Sequence, residues 1–195
     1  MKYLNKREIY TLNLQEHINV MESLEKGFED QVERIGIMLA SSLASGGMLF
    51  WCGNGGSAAD SQHLAAELVG RFKKNRKALR SVALTTDTSV LTCVANDFSY
   101  DDIFSRQLEA LGRDGDVLVA ISTSGNSENV LRALIAAKEL GVKTIALLGK
   151  DGGKANELAD LPIVIPSNST ARIQEAHILI GHILCDLIEQ ELGLA

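Results

Sequence analysis

Apolar side chains recur at helical spacing from residue 8 to residue 45: Ile9, Leu12, Val20, Met21, Leu24 and Phe28 form one series, and Val32, Ile35, Leu39 and Leu43 a second. Positions three and four apart share a helix face, so the pattern predicts two amphipathic helices, ended by Gly46 and Gly47. The pattern then changes to short, nearly continuous apolar runs: MLFWC at 48–52, SVAL at 81–84, DVLVAI at 116–121, KTIALL at 143–148 and LPIVI at 161–165. Such runs are expected of strands covered on both faces, as in a parallel sheet. Helical stretches are expected at 57–70, 88–95, 101–111, 127–140 and 170–191. The alternation predicts a doubly wound α/β fold: one domain, residues 1–195, with 1–45 as a two-helix N-terminal extension. That extension cannot bury its apolar face within itself. It must pack on the body or on another subunit, which predicts a homo-oligomer.

In such sheets ligands bind at the carboxyl ends of the strands, where loops enter helices. Two of these loops are unusual. GNGGSAAD, from Gly53 to Asp60, lets backbone approach a ligand and opens a helix whose free N–H groups suit an anion. STSGNSEN, from Ser122 to Asn129, offers the hydroxyls of Ser122, Thr123, Ser124 and Ser127 at the start of another helix. A serine can simply cap a helix, but four hydroxyls in six residues exceed what a cap needs, and they suit a phosphate monoester. Nucleotide readings fail on spacing. GNGGSA meets the GxGxxA fingerprint, yet the acidic residue expected at the end of the next strand is missing, since Leu84, Thr85 and Thr86 stand there and Asp87 comes late. GKDGGK at 149–154 is one residue short of a Walker loop and is followed by Ala155.

The chain has 195 residues, 46% apolar and 23% charged. That is enough for one domain burying about 70% of its unfolded surface without disulfides. Nineteen Lys and Arg against 25 Asp and Glu leave a net charge of −6, which argues against nucleic acid as a partner. The basic stretch RFKKNRKALR, from Arg71 to Arg80, is read as a solvated loop. Three widely spaced cysteines without a CxxC pair point to a reducing setting. The N-terminus MKYLNKREIY has no apolar core, and no run approaches the ~18 residues of a membrane span. A cytoplasmic protein with no membrane partner is expected.

His63 and Glu67 lie four residues apart on the helix that opens at the glycine loop, so they share a face. The last helix offers Gln174, Glu175, His177 and His182 in an otherwise apolar segment. Glu175 and His182 fall nearly on one line, with Gln174 within reach of that face, and spacing alone does not choose among the four. A His/Glu pair with a distant second His suits Zn²⁺. A carboxylate and an imidazole on opposite sides of a sugar equally suit proton exchange between adjacent carbons. Asn96 and Asp97 follow a predicted helix, where they suit either ligand hydroxyls or a helix-ending turn.

Five strings in order, CGNGGSAADSQHLAAE, ANDFSYDDIFSRQ, GDVLVAISTSGNSENV, GKDGGK and RIQEAHILIGHILCDLIE, resemble the sugar-isomerase (SIS) domain family over nearly the whole chain. Within it they are most similar to the phosphoheptose isomerases. The resemblance implies a flavodoxin-like five-stranded parallel sheet, a homotetramer with sites at subunit interfaces, and one Zn²⁺ per subunit held by His63, Glu67, Gln174 and His182. It implies sugar-phosphate contacts at Asn54, Gly55, Gly56, Glu67, Asn96, Asp97, Ser122, Thr123, Ser124, Ser127 and Gln174, with Arg71 reaching a neighbouring site. The implied reaction converts D-sedoheptulose 7-phosphate to D-glycero-D-manno-heptose 7-phosphate, toward the activated heptoses of lipopolysaccharide core or other surface glycans. Glu67 is the expected base and His182 the complementary acid/base. One departure is local: NRKALR lacks the proline that often follows NR in relatives. The competing resemblance is to non-catalytic SIS proteins that bind a replication initiator. That group lacks the glutamate and the final histidine present here as Glu67 and His182.

Overall fold

The computed structural model describes residues 5–194; residues 1–4 and 195, within the single domain expected at 1–195, lie outside the described residues. The two N-terminal helices are Lys6–Gly27 (α1) and Glu29–Ala44 (α2). A capping box starts α1: Asn5 Oδ1 accepts the Glu8 N–H at 3.0 Å, and the Glu8 carboxylate accepts the Asn5 N–H at 2.7 Å. Then follow β1 (Leu49–Gly53), α3 (Gly56–Val69), β2 (Ser81–Ala83), α4 (Thr88–Asp97), α5 (Ser105–Leu111), β3 (Val117–Ser122), α6 (Glu128–Glu139), β4 (Lys143–Gly149), α7 (Ala155–Leu158), β5 (Leu161–Ile165) and α8 (Thr170–Glu191).

Two local expectations change, and one element is new. The helix expected at 101–111 is broken into a 3-10 turn, Tyr100–Asp102, and α5, because Ser99 Oγ caps the turn at the Asp101 N–H and Ile103 and Phe104 are drawn into the core between the two. Asn96 and Asp97 form the last turn of α4 rather than following it. The four-residue α7 is too short to show a period in sequence. It is fixed by tertiary contact: Ala155 is buried, and its N–H donates to Gly125 O at 2.9 Å.

All five strands pair in parallel, in the order β2-β1-β3-β4-β5. The chain runs outward in both directions from β1 and β3, so the topological switch point lies between those two strands. Strand alternation sorts the core into two layers. Leu49, Trp51, Val119 and Ile121 face α2, α3 and α8 through Leu39, Leu64 and Leu184. Phe50, Cys52, Leu118 and Ala120 pack with Val94, Leu108 and Leu134 from α4, α5 and α6. Trp51 is wholly buried, and its indole N–H donates to Ser81 Oγ at 2.8 Å, so the polar atom costs little. The extension remains half-covered. On α1 only Val20 is buried, while Ile9, Leu12 and Ile18 stand in solvent. An apolar cavity of about 620 Å³ opens between α1, α2 and α8, lined by Met21, Leu24, Phe28, Val32, Ile183 and Leu187 among others. Among the described residues, no helix is long and apolar enough to cross a membrane.

Candidate active site

The loops leaving β1 and β3 meet at the switch point around a cavity of about 300 Å³. Asn54 to Ser57 line it from the first loop, Ser122, Thr123 and Ser127 from the second, and Thr170 and Gln174 from α8. Three helices start here. Gly55, Ser127 and Ser169 occupy the N-cap positions of α3, α6 and α8, and none makes a side-chain cap hydrogen bond. Three positive dipole ends therefore face one small space in whose lining no Lys or Arg takes part. Gly55 sits at φ 56°, ψ −119°, a conformation that favours glycine and brings the loop backbone to the cavity wall.

Not every expected contact points there. The Asn54 amide pairs reciprocally with that of buried Asn129, at 2.9 and 2.8 Å, and Asn54 Oδ1 also accepts the Tyr100 hydroxyl at 3.0 Å. Its side chain thus clamps the glycine loop to the start of α6. Ser124 Oγ accepts the Asn126 N–H at 3.2 Å and does not line the cavity, so three of the four expected hydroxyls do. Asn96 and Asp97 are exposed at the end of α4, paired with each other at 2.7 Å, and are not in the cavity wall. Thr170 and Ser57 line it without having been singled out from the sequence; Thr170 gave a signal only as the first residue of a helix.

Further along the same two helices, packing resolves what spacing left open. His63 Nε2 lies 3.1 Å from Glu67 Oε1 and 3.5 Å from His182 Nε2. The ligand-type atoms of the three residues all fall within 4.8 Å of one another, a group that could hold a metal ion. Two imidazoles and a carboxylate are a donor set typical of catalytic divalent cations with an open position. Phe72 stacks on His182, with ring centroids 5.4 Å apart and planes at 18°. Gln174 stands eight residues before His182 on α8 with its side chain against Gly56, so it too faces α3. The other two candidates turn elsewhere. Glu175 pairs with His17 of α1 at 2.8 Å and with Arg172 at 2.6 Å. His177 is wholly buried and hydrogen-bonded to Leu148 O at 2.9 Å; burial pushes its pKa down to about 4, and the bond to the carbonyl only partly opposes this.

One carboxylate was read from sequence only as the end of the glycine loop. Asp60 lies three residues before His63 and seven before Glu67, on their helix face. Its Oδ2 is buried without a hydrogen-bond partner, and burial pushes the carboxyl up against the pull of His63 and His182.

A doubly wound sheet with helix N-termini around a cavity at its switch point and a His/Glu/His group beside it suits a sugar phosphate. The SIS domain model matches residues 14–149, and the chain belongs to that family. It belongs within it to the phosphoheptose isomerases, and it is an enzyme, a sugar-phosphate isomerase. The phosphoheptose isomerase of Geotalea daltonii is 55% identical over 176 residues, covering 90% of this chain and 92% of that protein. The structure of phosphoheptose isomerase from Neisseria gonorrhoeae is 44% identical with a TM-score of 0.91, covering 95% of this chain and all of that one. That from Francisella tularensis is 34% identical with a TM-score of 0.93, covering 96% of this chain and 100% of the other.

Proposed function

We propose that this isomerase converts D-sedoheptulose 7-phosphate to D-glycero-D-manno-heptose 7-phosphate, supplying activated heptose for lipopolysaccharide core or other surface glycans. The observation that carries the reading is the spacing of two unlike subsites along one pair of helices. Gln174 lines the anion cavity and His182 belongs to the His/Glu/His group, eight residues along α8. That is a rise of about 12 Å, comparable with the reach of a seven-carbon chain and its terminal phosphate. With the phosphate seated on the helix N-termini, C1 and C2 come to the distal group.

There Glu67 takes the proton from the carbon beside the ketose carbonyl and returns it to the neighbouring carbon by way of an enediol. His182 exchanges protons with the sugar oxygens, and Phe72 fixes its ring plane by stacking. Asn96 and Asp97 are assigned to sugar hydroxyls, and the second loop, with Ser124, to the phosphate. Arg71, exposed beyond the end of α3, is assigned to a phosphate in a neighbouring subunit.

His63, Glu67 and His182, with Gln174 turned from the cavity, would hold Zn²⁺, one per subunit; when bound, the ion supplies a Lewis acid that favours the ionised carboxylate and polarises the carbonyl. The support is the donor chemistry and mutual closeness of the first three residues. The homotetramer rests on the apolar faces of α1, α2 and α8 that the chain leaves uncovered, a second copy being the occupant whose matching faces would bury them. Free Cys52, Cys93 and Cys185 support a reducing, cytoplasmic setting. The initiator-binding reading is not favoured, because Glu67 and His182 are both present and lie beside His63.

The test is NMR of the zinc-loaded protein with sedoheptulose 7-phosphate in deuterated water. An aldoheptose phosphate carrying deuterium at C2 is expected. No product from a folded, metal-replete oligomer overturns the assignment of substrate.

A further inference from the structure

The run from Arg71 to Arg80 contains six cations, and five of them face solvent as the sequence suggested. Arg76 does not: its side chain is 1% exposed, and its partner Glu189, in the last turns of α8, is 2% exposed. A buried guanidinium and carboxylate give up their hydration, so such a pair persists only where hydrogen bonds replace the water. Here both are fully engaged. Arg76 Nε donates to Glu189 Oε1 at 2.7 Å, Nη1 to Leu68 O at 2.8 Å and Lys77 O at 3.1 Å, and Nη2 to Glu67 O at 2.8 Å. Glu189 also accepts the N–H groups of Phe72 at 3.2 Å and Lys73 at 3.4 Å. The Glu67 and Leu68 carbonyls lie in the last turn of α3, where helix partners are lacking. Arg76 is therefore both the cap and the cation at the negative end of that helix.

Two of the groups so gripped stand at the reacting end of the site. Arg76 holds the backbone of Glu67, and Glu189 holds the backbone of Phe72, whose ring lies flat on His182. We infer that Arg76 and Glu189 are positioning residues for the isomerisation, fixing Glu67 on α3 against His182 on α8. A clip for a basic loop would require neither complete burial nor a bond to the carbonyl of the base. The inference rests on the reading of Glu67 and His182 as the proton-transferring pair.

Two variants test it. Arg76→Lys keeps the charge but cannot span the same acceptors. Arg76→Met combined with Glu189→Leu removes both charges and leaves neither buried alone. In folded, normally assembled protein, each is expected to lower kcat at least tenfold while KM for sedoheptulose 7-phosphate stays within threefold, since the anion cavity lies two turns away. Each is also expected to weaken binding of zinc chloride about tenfold, read by competition with a chromogenic chelator. Wild-type kcat and zinc affinity in a folded variant, with only the melting temperature lowered, overturn the inference. If the charge-free variant does not fold, the lysine variant decides alone. If the unaltered protein does not turn over the heptulose, the fault lies with the proposed substrate, and zinc affinity still decides the role of the pair.

Discussion

At the heads of α3, α6 and α8 the site is made of backbone: helix N–H groups, a glycine loop and hydroxyls around a cavity without a single cation. Two turns further along α3 and α8 it is made of three ionisable side chains, His63, Glu67 and His182, brought together from two helices. The first end attracts negative charge with partial charges fixed by the fold, so it binds without titrating. On the proposed reading the second would work by gaining and losing protons, so its groups would have to be free to change charge. In that reading, keeping the two apart would let a phosphate be gripped firmly while the reacting carbons meet groups whose protonation is not dictated by that phosphate.

The comparison breaks most sharply at Glu67. Glu67→Gln keeps the shape and removes the base, so kcat should fall by about 10²- to 10⁴-fold. KM should change little, because the phosphate subsite is untouched. Steady-state turnover of sedoheptulose 7-phosphate measures both. Near-normal kcat would move the chemistry away from this end.

The next effect concerns the rod that both ends share. His177 lies on α8 between Gln174 and His182, turned inward to Leu148 O, so it helps fix the rotation of the helix. It is neutral when folded, with its pKa pushed down to about 4 from the ordinary 6.5. Below pH 6.5 the unfolded chain takes up a proton that the folded one refuses, so stability falls as pH drops from about 6.5 to about 4 and then levels off. The shift corresponds to about 3 kcal/mol. His177→Gln cannot titrate and should remove that part of the slope. Urea unfolding of zinc-free protein at pH 7.5 and pH 4.5 checks it, and identical slopes in both proteins would refute the role of His177.

The two ends also differ in how far the sequence reveals them. The anion end shows itself in composition, because glycines and hydroxyls crowd two short loops at strand ends, and the five strands and their helices follow from period and run length. What the composition hides is who holds these side chains: the Asn54 amide is paired with that of Asn129, a tertiary contact, whereas Ser122 and Ser124 accept N–H groups of their own loop. The end proposed for proton transfer is legible only as a set of candidates. Gln174, Glu175, His177 and His182 look alike in a helical sequence, and only the packing of α1, α3 and β4 around α8 turns Gln174 and His182 to α3, Glu175 to α1 and His177 to β4. Asp60 and Arg76 were hidden for the same reason, since burial of a charged side chain leaves no mark in spacing.

The anion end is tested by smaller effects. A Cβ at residue 56 would meet Gln174 Nε2, the mobile end of a side chain, so Gly56→Ala should displace Gln174 and fill part of the cavity without unfolding the protein. KM is expected to rise about tenfold, roughly 1.4 kcal/mol, and because Gln174 is also assigned to the zinc, kcat and zinc affinity are expected to fall with it; an unchanged KM would place the phosphate elsewhere. Ser127→Ala gives the finest distinction. A serine that caps a helix stabilises it by about 1 kcal/mol. Ser127 stands at the N-cap of α6 but makes no cap bond, which leaves its hydroxyl available to the cavity. The substitution should therefore leave unfolding by urea unchanged and raise KM about threefold, the low end of the net worth of a single hydrogen bond. A loss of stability with KM unchanged would make Ser127 a cap and shift the phosphate toward Ser122, Thr123 and the start of α8.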